Sequence, residues 1–399
     1  MPPLFTSPSG LRRRVSGASS VIYYTGRPDP LLTCYHGLYY LGDPMSKVLY
    51  IASLNAGDGK TALSAALARR WQQAGRRVEY LKPVSLEAGD SDQTVAPDQD
   101  FLFARKALGL RDLTQEPIVV SSKSPDDPLL ADLHQKVKSS YHDAFQDSDV
   151  VLIEAAGGLE TLSLEREISR AVSQGLEANV LLVVGYTRDL EVERVVSVVE
   201  MFGEALLGVV INRVTQLGMR QAADSLVPSL AEAGVRVLGL VPETRVMFGI
   251  TVGDLVERLD GRYALETSGH DDLVECIMVG ANLLDAEGFP AGPEYFGRME
   301  NKVVIAKGDR PDFQWAAMDT PTRCLILTGN HDPIPYVIEK AREKQIPLAV
   351  VERDTLDVLD ALEEIMSSPR LDQPAKLEKF QALVEETLDL APLDAMLED

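Results

Sequence analysis

A short glycine-rich stretch of the chain contains the residue types that bind phosphate groups. Gly57, Asp58, Gly59, Lys60 and Thr61 follow one another directly. Glycines let consecutive backbone N–H groups point at an anion, and a helix that begins here adds the partial positive charge of its N-terminus. A lysine at this position can reach the β- and γ-phosphates, and the threonine hydroxyl can ligate Mg²⁺. The stretch therefore predicts a phosphate-binding loop for ATP or a related nucleotide.

The entry to this loop departs from the standard pattern Gly-x-x-x-x-Gly-Lys-Thr. That pattern requires glycine at position 54, where this chain has Leu54, preceded by Ser53. We therefore expect a longer or altered entry to the loop. The predicted nucleotide contacts also include Asn55 and Ala62, which flank the glycine-rich stretch.

Two acidic positions are candidates for holding a metal ion beside the nucleotide. Glu154 ends the apolar stretch 149–154 and is followed by glycines at 157–158. An unpaired carboxylate is costly to bury at the end of such a strand, so we expect a metal or a cation beside it. The alternative is a strand-end residue that faces solvent. We expect Thr61, Glu154 and Asp100, from the polar run 98–100, to bind Mg²⁺.

Two other apolar stretches also end in a polar side chain. Lys82 ends the stretch 77–82, where a second cation would neutralise phosphate or bind an acidic substrate. We therefore expect Lys60 and Lys82 to be the catalytic residues. Asn212 ends the stretch 208–212, and its amide can pair with an adenine edge.

From position 47 onward, short apolar runs alternate with helical patterns. Runs of Val, Ile and Leu without polar alternation are typical of strands buried on both faces, and helices between them indicate parallel crossovers. We predict a doubly wound, parallel-sheet α/β domain of the P-loop NTPase type over 46–248, which binds ligands beyond the carboxyl ends of its strands. Its predicted strands are 48–53, 77–82, 149–154, 180–185, 208–212 and 235–241, and its main helices are 60–75, 99–108 and 128–145.

A smaller α/β domain is predicted over 249–366. Its expected helices are 251–259, 313–318, 336–344 and 357–365, and its expected strands are 303–306, 323–327 and 348–351. The tail at 367–399 has apolar residues at helical spacing and many acids, which favours a solvated acidic helix. We expect residues 1–45 to be a disordered arm or an over-extended start that precedes the true start at Met45.

The composition excludes several classes of partner. With 39 basic and 61 acidic residues the formal net charge is −22, which argues against a nucleic-acid backbone as ligand. No apolar run approaches the length of a membrane-spanning helix, about 20 residues. The three cysteines are odd in number and widely spaced, which indicates reduced thiols in a cytoplasmic protein.

In order and spacing, these motifs resemble the dethiobiotin-synthetase-like branch of P-loop proteins. That branch includes the cobyrinic acid amidases and the N-terminal domain of long phosphotransacetylases. The matching segments are 53–61, 82–84, Asp100, 154–158 and Asn212. The resemblance implies an adenine-side loop after 238–242, which adds Pro242 to the nucleotide contacts.

Residues 251–255, 279–281, 307–310 and 327–329 resemble a DRTGG domain, which implies a regulatory role for the second domain. Gly308, Asp309 and Arg310 fall in a turn after a strand and are the candidate contacts for a small-molecule effector. A structural helix cap is the alternative interpretation. We also expect a homodimer.

Three functions remain open at this point. The first is a regulatory protein that senses Mg–ATP, and the second is an ATP-dependent ligase acting on a small acid or amine. The third is a partner subunit that has lost nucleotide binding. Acetyl transfer is not expected, because no acetyl-transfer domain is recognisable in the chain. The resemblance places the substrate pocket of a dethiobiotin synthetase at 85–97, which is acidic, polar and divergent in this chain, so we do not expect the diamino-acid substrate of that enzyme.

Overall fold

The computed structural model describes residues 46–86, 98–111, 117–120, 132–159, 163–280, 293–366 and 370–398. Residues 46–399 form one compact unit. The predicted leader, 1–45, and most of the stretch 85–97 lie outside the described residues.

A parallel six-stranded sheet forms the centre of the first domain. Its strand order is β2-β5-β1-β6-β7-β8, and every neighbouring pair is parallel. The strands are β1 (Lys47–Ser53), β2 (Val78–Leu81), β5 (Val150–Glu154), β6 (Asn179–Gly185), β7 (Leu206–Val214) and β8 (Val237–Pro242). The α/β fold and the six predicted strands are confirmed, with end shifts of a few residues.

Alternate residues of each strand pack into a different hydrophobic core. In β5, Val151 and Ile153 contribute to one core and Val150 and Leu152 to the other. Successive side chains of a strand point to opposite faces, so helices must cover both faces of this sheet. They are α1 (Lys60–Gln73), α2 (Gln99–Ala107), α3 (Leu133–Ser140), α4 (His142–Asp147), α5 (Ser163–Gly175), α6 (Val192–Phe202), α7 (Met219–Gln221), α8 (Val227–Glu232) and α9 (Arg245–Phe248).

Two features of this domain differ from the expectation. The helix predicted at 128–145 is two short helices, α3 and α4, separated at Tyr141. Its first residues fall outside the described part of the chain. A small parallel pair, β3 (Val84–Leu86) with β4 (Ile118–Val120), was not predicted, because strands of three residues are too short to show a periodicity.

The second domain is built on a five-stranded sheet of order β10-β15-β14-β13-β12. Strands β12 to β15 are parallel, and β10 joins β15 in the antiparallel direction. Its elements are β9 (Ile250–Thr251), α10 (Val252–Arg258), β10 (Arg262–Leu265), β11 (Leu273–Val274), β12 (Cys276–Gly280), α11 (Pro293–Phe296), β13 (Lys302–Lys307), α12 (Pro311–Met318), β14 (Thr322–Thr328), α13 (Pro335–Lys344), β15 (Leu348–Val350) and α14 (Thr355–Met366). The predicted helices and strands of this domain are confirmed, whereas β9 to β12 were not predicted as strands.

The C-terminal segment returns to the first domain. It consists of α15 (Pro374–Thr387) and α16 (Ala391–Ala395). The expectation of a helix is confirmed, but the expectation of a solvated tail is wrong. Its apolar side chains are buried in the core that also contains α1: Leu377, Phe380, Val384, Leu388, Leu393 and Met396. Burial of this apolar face outweighs the acidic composition, because the acids of α15, Glu378, Glu385 and Glu386, are exposed on the outer face of the helix.

Polar contacts also hold this segment in place. Asp394 forms a bidentate ion pair with Arg70 of α1, with N–O distances of 2.5 and 2.7 Å. Leu388 bridges Gly239 in the antiparallel direction, and the Asp389 N–H donates to the Leu238 carbonyl at 2.7 Å. The segment therefore covers the edge of the sheet at β8, which would otherwise present unpaired backbone groups.

Within the described ranges, no helix is both long enough and apolar enough to cross a membrane.

Replacing Leu393 by alanine is expected to destabilise the protein by about 2–5 kcal/mol, because this fully buried side chain would leave a cavity. Urea unfolding followed by circular dichroism measures the change. Leu356→Ala is the matched control, since this leucine also lies in a helix but is 71% exposed and should change stability by less than about 0.5 kcal/mol. Equal effects of the two substitutions would show that the C-terminal segment is not part of the core.

Candidate functional site

The loop between β1 and α1 has the backbone shape that a phosphate-binding loop needs. Gly57 and Gly59 have φ angles of +81° and +100°, in the left-handed region that favours glycine. Gly59 is the N-cap of α1, so the N–H groups of the first turn of that helix have no acceptor within the helix. The predicted strand–loop–helix arrangement at this position is confirmed.

Two of the predicted residues, Asp58 and Asn212, hold the loop in place through hydrogen bonds to its backbone. The Asp58 carboxylate accepts a hydrogen bond from the Asn55 backbone N–H at 2.7 Å, and the Asn212 side-chain amide donates to the Asp58 carbonyl at 2.8 Å. Asp58 and Asn212 are both buried, and burial raises the pKa of the Asp58 carboxyl. Gly59 is required here, since a Cβ at this position would lie 2.3 Å from the Asn212 amide nitrogen.

Lys60 lies across the loop. Its Nζ donates to the Ser53 hydroxyl at 2.8 Å and to the Gly157 carbonyl at 2.7 Å. Burial lowers the pKa of Lys60, and the nearby Glu154 charge opposes that shift. The altered entry of the loop thus has a structural consequence: Ser53 provides a hydroxyl for the lysine, while Leu54 is fully buried.

The Glu154 carboxylate is the centre of the polar cluster at the end of β5. It accepts from the Thr61 hydroxyl at 3.0 Å, from Lys82 Nζ at 3.2 Å and from the Tyr80 hydroxyl. Lys82 also forms an ion pair with Asp98. Although burial disfavours the charged lysine, the carboxylates of Glu154 and Asp98 raise the pKa of Lys82 above its ordinary value. A buried carboxylate needs such compensation, so the alternative of a solvent-facing Glu154 is wrong.

The oxygen atoms at this point suit Mg²⁺. The Thr61 hydroxyl and the Glu154 carboxylate approach from opposite elements, the start of α1 and the end of β5. Mg²⁺ in nucleotide sites commonly takes one or two protein oxygens together with phosphates and water. In the described part of the chain, no group of three or more His, Cys, Asp or Glu side chains could hold a metal by itself. The donor set therefore fits a metal that binds with a nucleotide.

Asp100, the third predicted metal ligand, makes a different contact. Its Oδ2 accepts from the Leu371 backbone N–H at 3.0 Å, and burial raises the pKa of its carboxyl. Asp98, two residues earlier, is the acid that pairs with Lys82 and caps α2 by accepting from the Phe101 N–H.

These groups surround one cavity of about 360 Å³ at the carboxyl ends of the strands. Most of the predicted residues line it: Gly57, Gly59, Lys60, Thr61, Ala62, Lys82, Asp100, Glu154, Asn212 and Pro242. Asn55 and Asp58 are not among the lining residues, because they lie behind the loop.

Other lining residues were not predicted from the sequence. Met247 and Phe248 come from α9, and Arg370, Leu371 and Phe380 come from the C-terminal segment. The helical spacing of apolar residues in the tail was a signal that this segment packs against another element. Tyr80 was also missed, although in the predicted strand 77–82 it lies two positions before Lys82 and would therefore face the same side.

The candidate effector residues of the second domain are occupied by internal contacts. Arg310 pairs with Asp312 at 2.9 and 2.6 Å and lies over the Phe313 ring. In the same turn, the Gly308 N–H donates to the Thr328 carbonyl. These contacts favour the structural alternative over an anion cradle.

Sequence comparison assigns both parts of the chain. The AAA domain matches residues 47–248, and the DRTGG domain matches residues 254–365. The chain therefore belongs to the AAA-domain family of P-loop proteins and carries a DRTGG domain. The predicted resemblance is confirmed.

The curated relatives include phosphate acetyltransferases. That of Pseudomonas aeruginosa is 23% identical over 367 residues, which cover 85% of this chain and 50% of the relative. That of Escherichia coli is 22% identical over 382 residues, which cover 85% of this chain and 51% of the relative. The chain thus spans about half the length of these relatives. The ATP-dependent dethiobiotin synthetase BioD of Methanococcus vannielii is 23% identical over 209 residues, covering 50% of this chain and 94% of the relative.

Solved structures resemble parts of the chain at low scores. A nucleotide-binding protein from Archaeoglobus fulgidus in complex with ADP is 18% identical, with a TM-score of 0.31, and covers 49% of this chain and 82% of that one. The CBS and DRTGG regulatory region of a Clostridium perfringens pyrophosphatase, complexed with its activator diadenosine tetraphosphate, is 18% identical. Its TM-score is 0.25, and the match covers 32% of this chain and 53% of that one.

Gly59→Ala is expected to cost more stability than Gly57→Ala. Both substitutions strain a left-handed backbone by about 1–2 kcal/mol, but a Cβ on Gly59 also meets Asn212, whereas a Cβ on Gly57 meets nothing within 4 Å. The free energy of unfolding in urea measures both. Because the clash removes the bond from Asn212 to the loop, Asn212→Ala should cost less in the Gly59→Ala protein than in the wild type. Additive losses would contradict this coupling.

Asp98→Asn is expected to reduce stability by about 0.5–1 kcal/mol near neutral pH, the range of a partly exposed ion pair. Asparagine caps a helix as well as aspartate does, so the substitution removes the charge and keeps the cap. Although burial opposes the shift, the bond and charge of Lys82 lower the pKa of Asp98 in the folded protein.

The stabilisation from Asp98 is therefore present above its unfolded pKa, about 4, and is lost as the pH falls below that value. Urea unfolding of both proteins across pH 3–7 should show the difference between them shrinking at the acid end. A difference that stays constant over that range would argue against the ion pair.

Proposed function

We propose that this protein binds Mg–ATP in the cavity of the first domain and has a regulatory, nucleotide-sensing role. The observation that carries the proposal is the meeting of Lys60, Thr61, Glu154 and Asn212 around one cavity at the strand ends. The DRTGG domain and the match to one half of the phosphate acetyltransferases support the regulatory part.

In this proposal each residue of the loop has a distinct task. The backbone N–H groups at the start of α1 and the Lys60 ammonium bind the phosphates, and Lys60 exchanges its present acceptors for phosphate oxygens. Thr61 and Glu154 hold Mg²⁺, which neutralises phosphate charge when bound. Asn212 positions the loop through Asp58, and Pro242 lies beside the base. Asp100 is kept as a metal ligand that acts through water.

The contacts of Lys82 distinguish sensing from ligation. A ligase of the dethiobiotin synthetase type would use this lysine on its acidic substrate, but here it already pairs with Glu154 and Asp98. We therefore keep ligation as the second candidate, supported by the similarity to BioD. The catalytic role of Lys60 and Lys82 belongs to that candidate.

In this proposal, residues 46–248 form the nucleotide-binding domain and residues 249–366 form the regulatory domain. Residues 367–399 belong with the nucleotide-binding domain. The proposal includes a homodimer, in which the exposed side chains of Ile334 and Tyr336 would be covered. It also includes a cytoplasmic location, in keeping with the free thiols of Cys276 and Cys324. An effector at Gly308–Arg310 would have to displace Asp312 from Arg310.

Calorimetric titration with ATP and Mg²⁺ tests the binding proposal. Lys60→Ala should weaken binding by at least about tenfold, because it removes a charge-assisted contact worth about 1.5–3 kcal/mol. Thr61→Val should retain the loop but lose most of the dependence of affinity on Mg²⁺. Lys106→Ala is the matched control, since this lysine lies on the exposed face of α2 and its loss should leave affinity unchanged.

Absence of ATP binding by the wild type would reject sensing and ligation together. If ATP binds, release of ADP only after a small acid or amine is added would select the ligase. Binding without turnover under those conditions would select the sensor.

A further inference from the structure

The C-terminal segment, which follows the second domain in sequence, supplies part of the wall of the first domain's cavity. We call residues 370–398 the C-terminal strap. Arg370, Leu371 and Phe380 of this strap line the cavity together with the phosphate-binding loop. Phe380 is only 4% exposed, so most of its side chain is held in the core and a small part faces the cavity.

The strap supplies part of the apolar lining of the cavity. The loop side of the cavity consists of glycines and of the charged residues Lys60, Lys82 and Glu154. The apolar side chains of the lining come mainly from Pro242, from Met247 and Phe248 in α9, and from Leu371 and Phe380. A nucleotide has the same division, with charged phosphates at one end and a flat apolar base at the other.

The strap is also fixed to the predicted metal side of the site. The Leu371 N–H donates to Asp100 at 3.0 Å, and Lys376, which is 1% exposed, donates to the Arg370 carbonyl at 2.8 Å. Farther along, Gln381 donates to Gln73 of α1 at 2.6 Å. The first contact holds the start of the strap against α2, the second lies within the strap, and the third holds α15 against the last turn of α1.

We propose that Phe380 forms the wall that binds the purine base, so that nucleotide binding and docking of the strap stabilise each other. This inference rests on the proposed binding of Mg–ATP. A ligand that contacts only the docked strap favours the docked form, and docking raises the affinity for the ligand by the same factor. Because the strap follows α14 in the chain, it also provides a covalent route from the second domain to the nucleotide.

The first test separates contacts with the base from contacts with the phosphates. In Phe380→Leu, the affinity for ATP·Mg should fall by about three- to tenfold, the size of an aromatic contact. The affinity for tripolyphosphate·Mg, measured by its displacement of ATP, should be unchanged. Phe202→Leu is the matched control: this phenylalanine is 7% exposed and lies in the core on the other face of the sheet. Phe202→Leu should reduce the stability of the protein by about as much as Phe380→Leu but should leave the affinity for ATP unchanged.

The second test uses the wild-type protein and therefore does not depend on the folding of a variant. Hydrogen exchange of the strap amides, from Leu371 onward, should slow on addition of ATP·Mg and should not slow in Lys60→Ala. Tripolyphosphate·Mg should protect the loop more than the strap.

Equal ATP affinities of the wild type and Phe380→Leu, or a loss that is the same for tripolyphosphate, would overturn the inference. Unchanged exchange of the strap on ATP binding would overturn it as well. Both results leave the proposed function intact, because the wild type still binds ATP. Failure of the wild type to bind ATP is a separate outcome, and it would reject the proposed function and the inference together.

Discussion

The polar site depends on one buried carboxylate. Glu154 ends β5, an inner strand of the sheet, and its carboxylate is buried. Burying this charge without a partner would destabilise the fold by an amount on the order of several kcal/mol. Its contacts to Thr61, Tyr80 and Lys82 come from α1, from β2 and from the residue after β2. Because each partner satisfies part of the same charge, these elements are brought to fixed positions around it, and the cavity forms between them.

A second set of hydrogen bonds, on the side of the loop away from the cavity, fixes the conformation of the loop. Asn212 at the end of β7 holds the Asp58 carbonyl, and the Asp58 carboxylate holds Asn55. The amide predicted to recognise adenine thus has a prior structural task, which explains why glycine is needed at position 59. Together with Glu154 on the front side, this bond positions the helix N-terminus before any ligand arrives, which is the requirement for tight anion binding.

Net charge and local charge differ in this protein. The chain has a formal charge of −22, whereas the cavity is lined by four cations and four carboxylates: Lys60, Lys82, Arg213 and Arg370, and Asp98, Asp100, Glu154 and Glu243. A cleft with cations in low-dielectric surroundings can attract an anionic ligand whatever the sign of the whole molecule. One acid of the C-terminal segment, Asp394, forms an ion pair with Arg70, so its charge is compensated and does not repel an anionic ligand.

The sequence by itself determined the local parts of the structure. The uninterrupted Val, Ile and Leu runs predicted the parallel strands, and Lys60, Thr61 and Glu154 could be found because each is marked by its own neighbours. Short-range patterns contain that information, since strand burial and helix starts depend on adjacent residues. Tertiary structure alone decided that Asp98 rather than Asp100 pairs with Lys82, that Tyr80 contacts Glu154, and that Leu371 and Phe380 reach the cavity. The contacts of the C-terminal segment, such as that between Leu371 and Asp100, exist because the apolar face of the C-terminal helix is buried against α1, and no local pattern specifies which element that face meets.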